Sequence, residues 1–352
     1  MLGRPWIVLR EDQRRRWGGD LRRHYLFNGL VDRAGARVIE DRRVAPLSAA
    51  LHELGGRRWQ VWRRRPLVAT TEFLTDKQLA LVKRLGVPAA VDVHDDVILQ
   101  GDALGVPLSD EDQAAIRATR RANDTFRWLV APAAGFAELA GLDPDRVIVA
   151  SNGTDPRVVR PAPWPDAPGI AFVSGAAPRR GIEELIAAMR IVRDRIPDAR
   201  LYLWLAATGD ASRAYLDDLV AQHAQETWIE IGQSPYEELG AQLGRATALA
   251  IPTPSHPYWD SVAPVKVFDY LAAGRPVVTT PRVATAALIR RLDAGLVTEG
   301  DEAEAMAEPI LAVLDDQERA KAMGARAREA AEREFDWRVI GDRLAADLLA
   351  RT

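Results

Sequence analysis

The sequence has no cysteine, and its only lysines are Lys77, Lys83, Lys266 and Lys321. Without cysteine, disulfides, thiolate metal sites and a cysteine nucleophile drop out. No apolar run approaches the ~18 residues needed to cross a bilayer, so no membrane-spanning helix is expected. The opening MLGRPWIVLRED reaches charge within ten residues and shows no signal-peptide pattern, so a cytoplasmic location is expected. No G-x-G-x-x-G fingerprint occurs, which argues against an NAD-dependent oxidoreductase. Internal repeats and low-complexity tracts are also missing.

What is present is a soluble-type composition, 47% hydrophobic and 28% charged, over a length sufficient for two domains. The net charge of −3 conceals an asymmetry: residues 1–100 carry 19 Lys+Arg against 12 Asp+Glu, or +7, leaving −10 for the remainder. Arg14-Arg15-Arg16, Arg22-Arg23, Arg57-Arg58 and Arg63-Arg64-Arg65 supply much of this excess. Such a basic half suits an anionic partner, either a phosphorylated lipid or a membrane surface contacted peripherally at its inner face. A solvated arginine-rich face is the alternative. Nucleic acid is disfavoured, because the arginines are not interleaved with stacking aromatics and the chain is acidic overall.

Strand-like runs alternate with helical ones along the chain. Trp6–Leu9 reads as a first strand, followed by Gly18-Gly19 and a helix from Asp20, a plausible N-cap, to Ala34. Leu67–Thr71 and Ala89–Val93 read as strands flanking a helix over 76–85, and the second strand leads into His94-Asp95-Asp96. Residues beyond the carboxyl end of a parallel strand are candidates for an active site. Here three readings stand: a ligand contact by His94, a helix cap or polar turn, or a metal site using Asp92, His94, Asp95 and Asp96. Leu129–Ala131 and Val147–Ala150 are two more strands, and Asn152-Gly153 signals a turn with left-handed conformers. Residues 161–168 hold four prolines in eight positions, a stiff linker.

The second half alternates more cleanly. Strands are expected at 170–174, 201–205, 228–231 and 248–251, with helices after them, including a capping-box start at Ser234-Pro235-Tyr236-Glu237. Four strand–helix alternations in a row predict a parallel doubly wound sheet. The stretch Ser255–Thr280, SHPYWDSVAPVKVFDYLAAGRPVVTT, organises the rest. A polar loop runs to Pro264, a helix follows from Val265 to Ala273, Gly274 is placed for a left-handed cap, and residues 276–280 read as a buried strand. The N–H groups entering that helix suit a phosphate, Lys266 would add a point charge, and Asp269, one turn on, would accept hydroxyls such as a ribose diol. Two charged helices over 302–314 and 317–334 follow, then an amphipathic segment to Leu349.

The run PVKVFDYLAAGRPVV resembles the donor-binding helix of retaining GT-B glycosyltransferases, family 4 in particular, where Pro-x-Lys-x-Phe-Glu-Tyr-x-Ala-x-Gly-x-Pro-Val is common. The resemblance is strongest from Ser151 to Leu349. It implies an α/β GT-B architecture, two Rossmann-like doubly wound domains facing across a cleft. The acceptor-side domain would span 1–160, joined by the C-terminal helix 337–350, and the donor-binding domain 169–336. Family members usually carry two glutamates eight positions apart; here Ser261 and Asp269 stand there. GAAPRRG is similar to the family's Gly-Arg-x-x-x-x-Lys-Gly loop, with Gly175 opening it, Arg180 at the lysine, Ala176 at the arginine, and Arg179 as a candidate substitute.

The implied activity is transfer of a sugar, with retention, from a nucleoside-diphosphate sugar to a glycan, lipid-linked or small-molecule acceptor. The resemblance assigns His94, Arg180 and Lys266 to the chemistry, and Gly18, Gly19, Gly175, Ser261, Val262, Ala263 and Asp269 to donor binding. It implies no cofactor and no metal. A catalytically silent homologue that binds a nucleotide or glycan, and a GT-B epimerase or synthase, are the competing readings.

Overall fold

The computed structural model describes residues 6–11, 19–41, 67–71, 89–121 and 126–351. The chain divides into two compact units. One comprises Met1–Gln100, Pro107–Asn152 and Trp337–Thr352; the other Gly101–Val106 and Gly153–Asp336. The proline-rich segment 161–168 lies inside the second unit, so the chain passes between units at Asn152 and Gly153.

Among the described residues the first unit contains β1 (Trp6–Glu11), α1 (Gly19–Tyr25), α2 (Asn28–Ala34), β2 (Arg37–Asp41), β3 (Leu67–Thr71), β4 (Ala89–Asp92), the start of α3 (Val97–Ala103), whose last three residues belong to the second, α4 (Asp110–Arg121), β5 (Trp128–Ala131), α5 (Ala134–Leu139) and β6 (Val147–Val149). Its strands form one parallel sheet in the order β2-β1-β3-β4-β5-β6. Every residue of β4 and β5 is buried, which matches their near-continuous apolar sequences and a sheet covered on both faces.

The single helix expected over 20–34 is two helices. Leu26 and Phe27 turn the chain between α1 and α2, and both side chains are buried. Asp20 lies inside α1 and does not cap it. At Gly29 the second helix meets the backbone of Gly341, where a Cβ would stand 2.1 Å from the Gly341 carbonyl oxygen. Only glycine permits that approach.

The second unit contains β7 (Gly169–Gly175), α6 (Ile182–Arg195), β8 (Arg200–Ala206), α7 (Asp210–Gln222), β9 (Ile229–Gly232), α8 (Leu239–Gly244), β10 (Ala248–Ile251), α9 (Pro257–Ser261), α10 (Val265–Ala272), β11 (Val277–Thr279), α11 (Val283–Leu292), β12 (Gly295–Val297), α12 (Ala303–Asp315) and α13 (Gln317–Arg333). The chain ends with α14 (Trp337–Ala350), in the first unit. The second sheet is also parallel, ordered β12-β11-β10-β7-β8-β9. The order reverses between β7 and β10, so the ligand crevice of such a sheet lies beyond the carboxyl ends of those two strands. Ile182, Leu185, Ile186 and Met189 of α6 pack with Leu201, Leu203 and Leu205 of β8 and with Ile310 of α12. Each such side chain contributes about 1.5–3 kcal/mol on full burial.

Three local expectations are corrected. Neither Asn152 nor Gly153 is left-handed. Instead Thr154 donates its N–H to the Phe335 carbonyl at 2.9 Å and bridges Asp336 in parallel, which draws the segment out straight. Pro235, not Ser234, takes the N-cap position of the 3-10 turn Tyr236–Glu238, so Ser234 is out of capping reach and bonds the Pro235 carbonyl. The loop expected before Pro264 contains α9, capped by His256 Nδ1, which accepts the Tyr258 N–H at 3.2 Å. The helix expected over 76–85 lies outside the described residues.

Candidate functional site

Two loops meet at the reversal of strand order in the second unit. The first follows β7 and carries Gly175 and Arg180. It ends at Gly181, which is left-handed (φ +79°) and so close to the β10 loop that a Cβ would stand 1.8 Å from the Pro252 carbonyl oxygen. The second loop follows β10, passes through α9, and enters α10 at Pro264, an extended N-cap whose ring offers no capping group. Of the first-turn N–H groups of α10, that of Val267 bonds the Pro264 carbonyl at 3.0 Å, and those of Val265 and Lys266 have no carbonyl within the helix to bond.

Lys266, in that first turn, is half-buried beneath these loops. Its Nζ bonds the Ser174 hydroxyl at 3.2 Å and lies 4.6 Å from the Phe172 ring centre. Burial pushes the ammonium well below the usual lysine range, and repulsion from Arg180 adds to the effect. Among the described residues no carboxylate pairs with Lys266. Arg180 turns back over Gly175 and sits 5.2 Å above the Trp259 ring, which α9 supplies. The helix N-terminus, Lys266 and Arg180 thus bring positive charge together at this end of the sheet.

One turn further along α10, Asp269 is also buried. Its Oδ1 accepts the Thr154 hydroxyl at 2.8 Å and the Tyr236 hydroxyl at 3.3 Å. Burial raises the carboxyl to about 7 against the pull of these two hydrogen bonds, and nearby Asp155 raises it further. Tyr270 fixes the helix to the sheet, accepting the Val173 N–H at 2.8 Å.

The other expected residues divide. Ser261 turns its hydroxyl onto the Tyr258 carbonyl at 2.8 Å, and Val262 and Ala263 form the extended link from α9 to α10. Ala176, at the family's arginine position, is a core residue. Arg179, the candidate substitute, is left-handed (φ +56°), and its guanidinium lies against Gly105. In the first unit Gly19 opens α1, and Gly18 lies outside the described residues. His94 is buried beyond β4, its Nδ1 2.9 Å from Asp92 Oδ2, within ion-pair reach but outside hydrogen-bond geometry. Asp92 is committed to Arg22 through bonds of 2.7–3.1 Å. Asp96 accepts the Ile98 and Leu99 N–H groups and so caps α3. The suggested metal set does not converge, and among the described residues no group of three or more His, Asp or Glu has a metal-binding arrangement.

Sequence reasoning missed Ser174, Trp259, Thr154 and Tyr236. Each reaches the site from another element. The one available signal was the placement of Trp259 within the central stretch and of Thr154 between Gly153 and Asp155.

Residues 167–316 match the family model described as Glycosyl transferases group 1. These residues lie in the second unit, which is similar to a group 1 glycosyltransferase domain. A GDP-mannose-dependent monoacylated alpha-(1-6)-phosphatidylinositol monomannoside mannosyltransferase of Corynebacterium glutamicum is 29% identical over 184 residues, 50% of this chain and 46% of that protein. The chain spans about half the length of the curated relatives it matches. Sucrose-phosphate synthase from Thermosynechococcus elongatus superposes with a TM-score of 0.72 over 99% of this chain and 100% of that one, at 17% identity. HepE of Anabaena, solved in complex with UDP-glucose, superposes at 0.66 over 98% and 100%, also at 17% identity. The fold of this glycosyltransferase-like chain is GT-B. Among its described residues no helix is long and apolar enough to cross a membrane.

Proposed function

We propose that this chain is a retaining glycosyltransferase that moves a sugar from a nucleoside-diphosphate sugar to a glycan, lipid-linked or small-molecule acceptor. The observation that carries the reading is the half-buried Lys266 ammonium, facing Arg180 with a serine hydroxyl as its hydrogen-bond partner, at the carboxyl end of β7. A diphosphate is the kind of anion that such a group of donors attracts. As the bond from the anomeric carbon to the β-phosphate oxygen breaks, its electron pair passes to the diphosphate. The Lys266 and Arg180 side chains and the N–H groups of Val265 and Lys266 are donors fixed in advance where that charge develops. With the cations supplied by the protein, the mechanism proposed needs neither a divalent metal nor a cofactor. Asp269 holds the ribose diol through Oδ2, the oxygen that Thr154 and Tyr236 leave open. His94, in the first unit, is proposed as the sugar contact.

The Corynebacterium relative is named for a phosphatidylinositol mannoside substrate, which favours a lipid-linked acceptor and peripheral attachment at the inner membrane face. Arg22 takes no part in such attachment, because it is buried and bound to Asp92. The other arginine clusters, over 14–16, 57–58 and 63–65, lie outside the described residues.

The test is thermal stabilisation by UDP, GDP, ADP and dTDP, with and without Mg²⁺, on the wild type, Asp269→Ala and Lys266→Ala. Ligand at about 100 times its dissociation constant adds about 2.7 kcal/mol. The reading expects one diphosphate to stabilise the wild type without metal and neither variant. Ser261 carries no charge and is bonded to its own helix, which favours the silent-homologue reading as the second choice. Nucleotide binding with neither donor hydrolysis nor transfer would select it.

A further inference from the structure

Asp269 is gripped from outside its own helix, by two residues that lie far away in the sequence. Thr154 Oγ1 and the Tyr236 hydroxyl both donate to Oδ1, at 2.8 and 3.3 Å. Thr154 is itself immobilised, fully buried, with its N–H on the Phe335 carbonyl and its backbone bridging Asp336. Tyr236 is buried at the start of the 3-10 turn that precedes α8. The two hydroxyls therefore hold Oδ1 from two separate elements, and neither of them bonds Oδ2.

The same two hydroxyls act on the proton. A buried carboxyl favours its neutral form, and hydrogen bonds donated to it favour the charged form. No cation among the described residues bonds Asp269. Asp155, in the segment beside it, is paired with Arg157. From α13, Arg328 spends its guanidinium on the Pro156, Val159 and Ala272 carbonyls and on Glu332. Lys266 lies one turn earlier on the same helix. Charge on Asp269 thus depends on Thr154 and Tyr236 more than on any ion pair.

We infer that Thr154 and Tyr236 are positioning residues of the nucleotide site, aiming the Asp269 carboxylate and keeping it ionised so that Oδ2 accepts both hydroxyls of a ribose. This rests on the proposed donor site. A neutral carboxylic acid accepts such a pair poorly, because one oxygen then carries a proton.

The experiment measures, by calorimetry on the full chain, the affinity for whichever of UDP or GDP stabilises the wild type better, between about pH 6 and about pH 9. The matching 2′,3′-dideoxy diphosphate is the control, since its phosphates titrate alike but it lacks the diol. For the wild type, affinity for the ribonucleotide is expected to rise relative to the control as pH passes about 7. Thr154→Val should weaken ribonucleotide binding about tenfold at neutral pH, move the rise to higher pH, and leave the dideoxy affinity unchanged. Thr154→Ser should restore wild-type behaviour, and Tyr236→Phe should give a smaller shift in the same direction. Asp269→Asn, which changes no volume, should bind the two ligands with the same pH dependence. Thr154→Val and Tyr236→Phe profiles that coincide with the wild type, or that fall equally at every pH, would overturn the inference. A wild type that binds no nucleoside diphosphate would remove the donor site itself, and the inference with it.

Discussion

The Lys266 ammonium lies 3.2 Å from the Ser174 hydroxyl, and that neutral group is its hydrogen-bond partner in a half-buried setting. A hydroxyl compensates little of the desolvation cost of an ammonium, so partial burial of this charge costs stability. Lys266→Met keeps the volume and removes the charge. The variant should be about 1–4 kcal/mol more stable to urea than the wild type and should lose stabilisation by nucleoside diphosphates. Urea midpoints with and without UDP or GDP check both halves; a destabilised variant would show that the charge is compensated.

Trp259 offers its ring face to Arg180 at 5.2 Å, and a cation–π contact of this kind is worth about 0.5–2 kcal/mol. Trp259→Leu should slow donor hydrolysis or transfer about 3- to 30-fold, and Trp259→Phe, which keeps a ring, should lose less. Single-turnover rates at saturating donor distinguish this from weaker binding.

Arg275, the variable residue of the Gly-Arg-Pro run, is buried and donates to the carbonyls of Ala162, Pro163, Gly244 and Ala246, with the Trp164 ring 4.3 Å away. It ties the proline-rich segment to Gly244 and Ala246. Burial lowers its guanidinium to about 10, still charged at neutral pH. Arg275→Met strands four carbonyls and should cost about 3 kcal/mol or more, read as a lower urea midpoint.

Arg22 and Asp92 form an ion pair with no exposure on either side chain. Burial alone would raise the Asp92 carboxyl, but Arg22, and after it His94, hold it down at about 2. A depressed carboxyl contributes stability above its unfolded value, near pH 4, and loses that contribution as pH falls toward 2. The loss should amount to about 2–3 kcal/mol in acid titrations. Arg22→Met should cost about 3–5 kcal/mol at neutral pH, because it leaves a buried charge unpaired, and should flatten the acid transition. Equal acid profiles for wild type and variant would refute this assignment.

The β-branched runs at 67–71, 147–149 and 277–279 and the helix PVKVFDYLAAGRPVV were legible because their signals are local: alternation or period, flanking glycine and proline, and length. Gly274 shows the expected left-handed φ of +66° for the same reason. β2 and β12 were not foreseen. RVIED is polar for a strand, and GLV is too short to show a pattern, so both owe their pairing to the neighbouring strand. The broken helix at Leu26 and Phe27 was equally hidden, since the contact of Gly29 with Gly341 joins residues at opposite ends of the chain.

The sequence by itself determined the doubly wound α/β architecture, the placement of Lys266 and Asp269 one turn apart on a helix, and the glycine that lets the Arg180 loop close. These follow from short-range geometry that any chain with those residues obeys. Only the tertiary structure decided which charges are buried and what holds them. Ser174 reaches Lys266 across 92 residues, and Thr154 reaches Asp269 across 115. Desolvation and pairing depend on what surrounds a group in space, and packing brings those partners together through contacts that leave no periodicity in the chain.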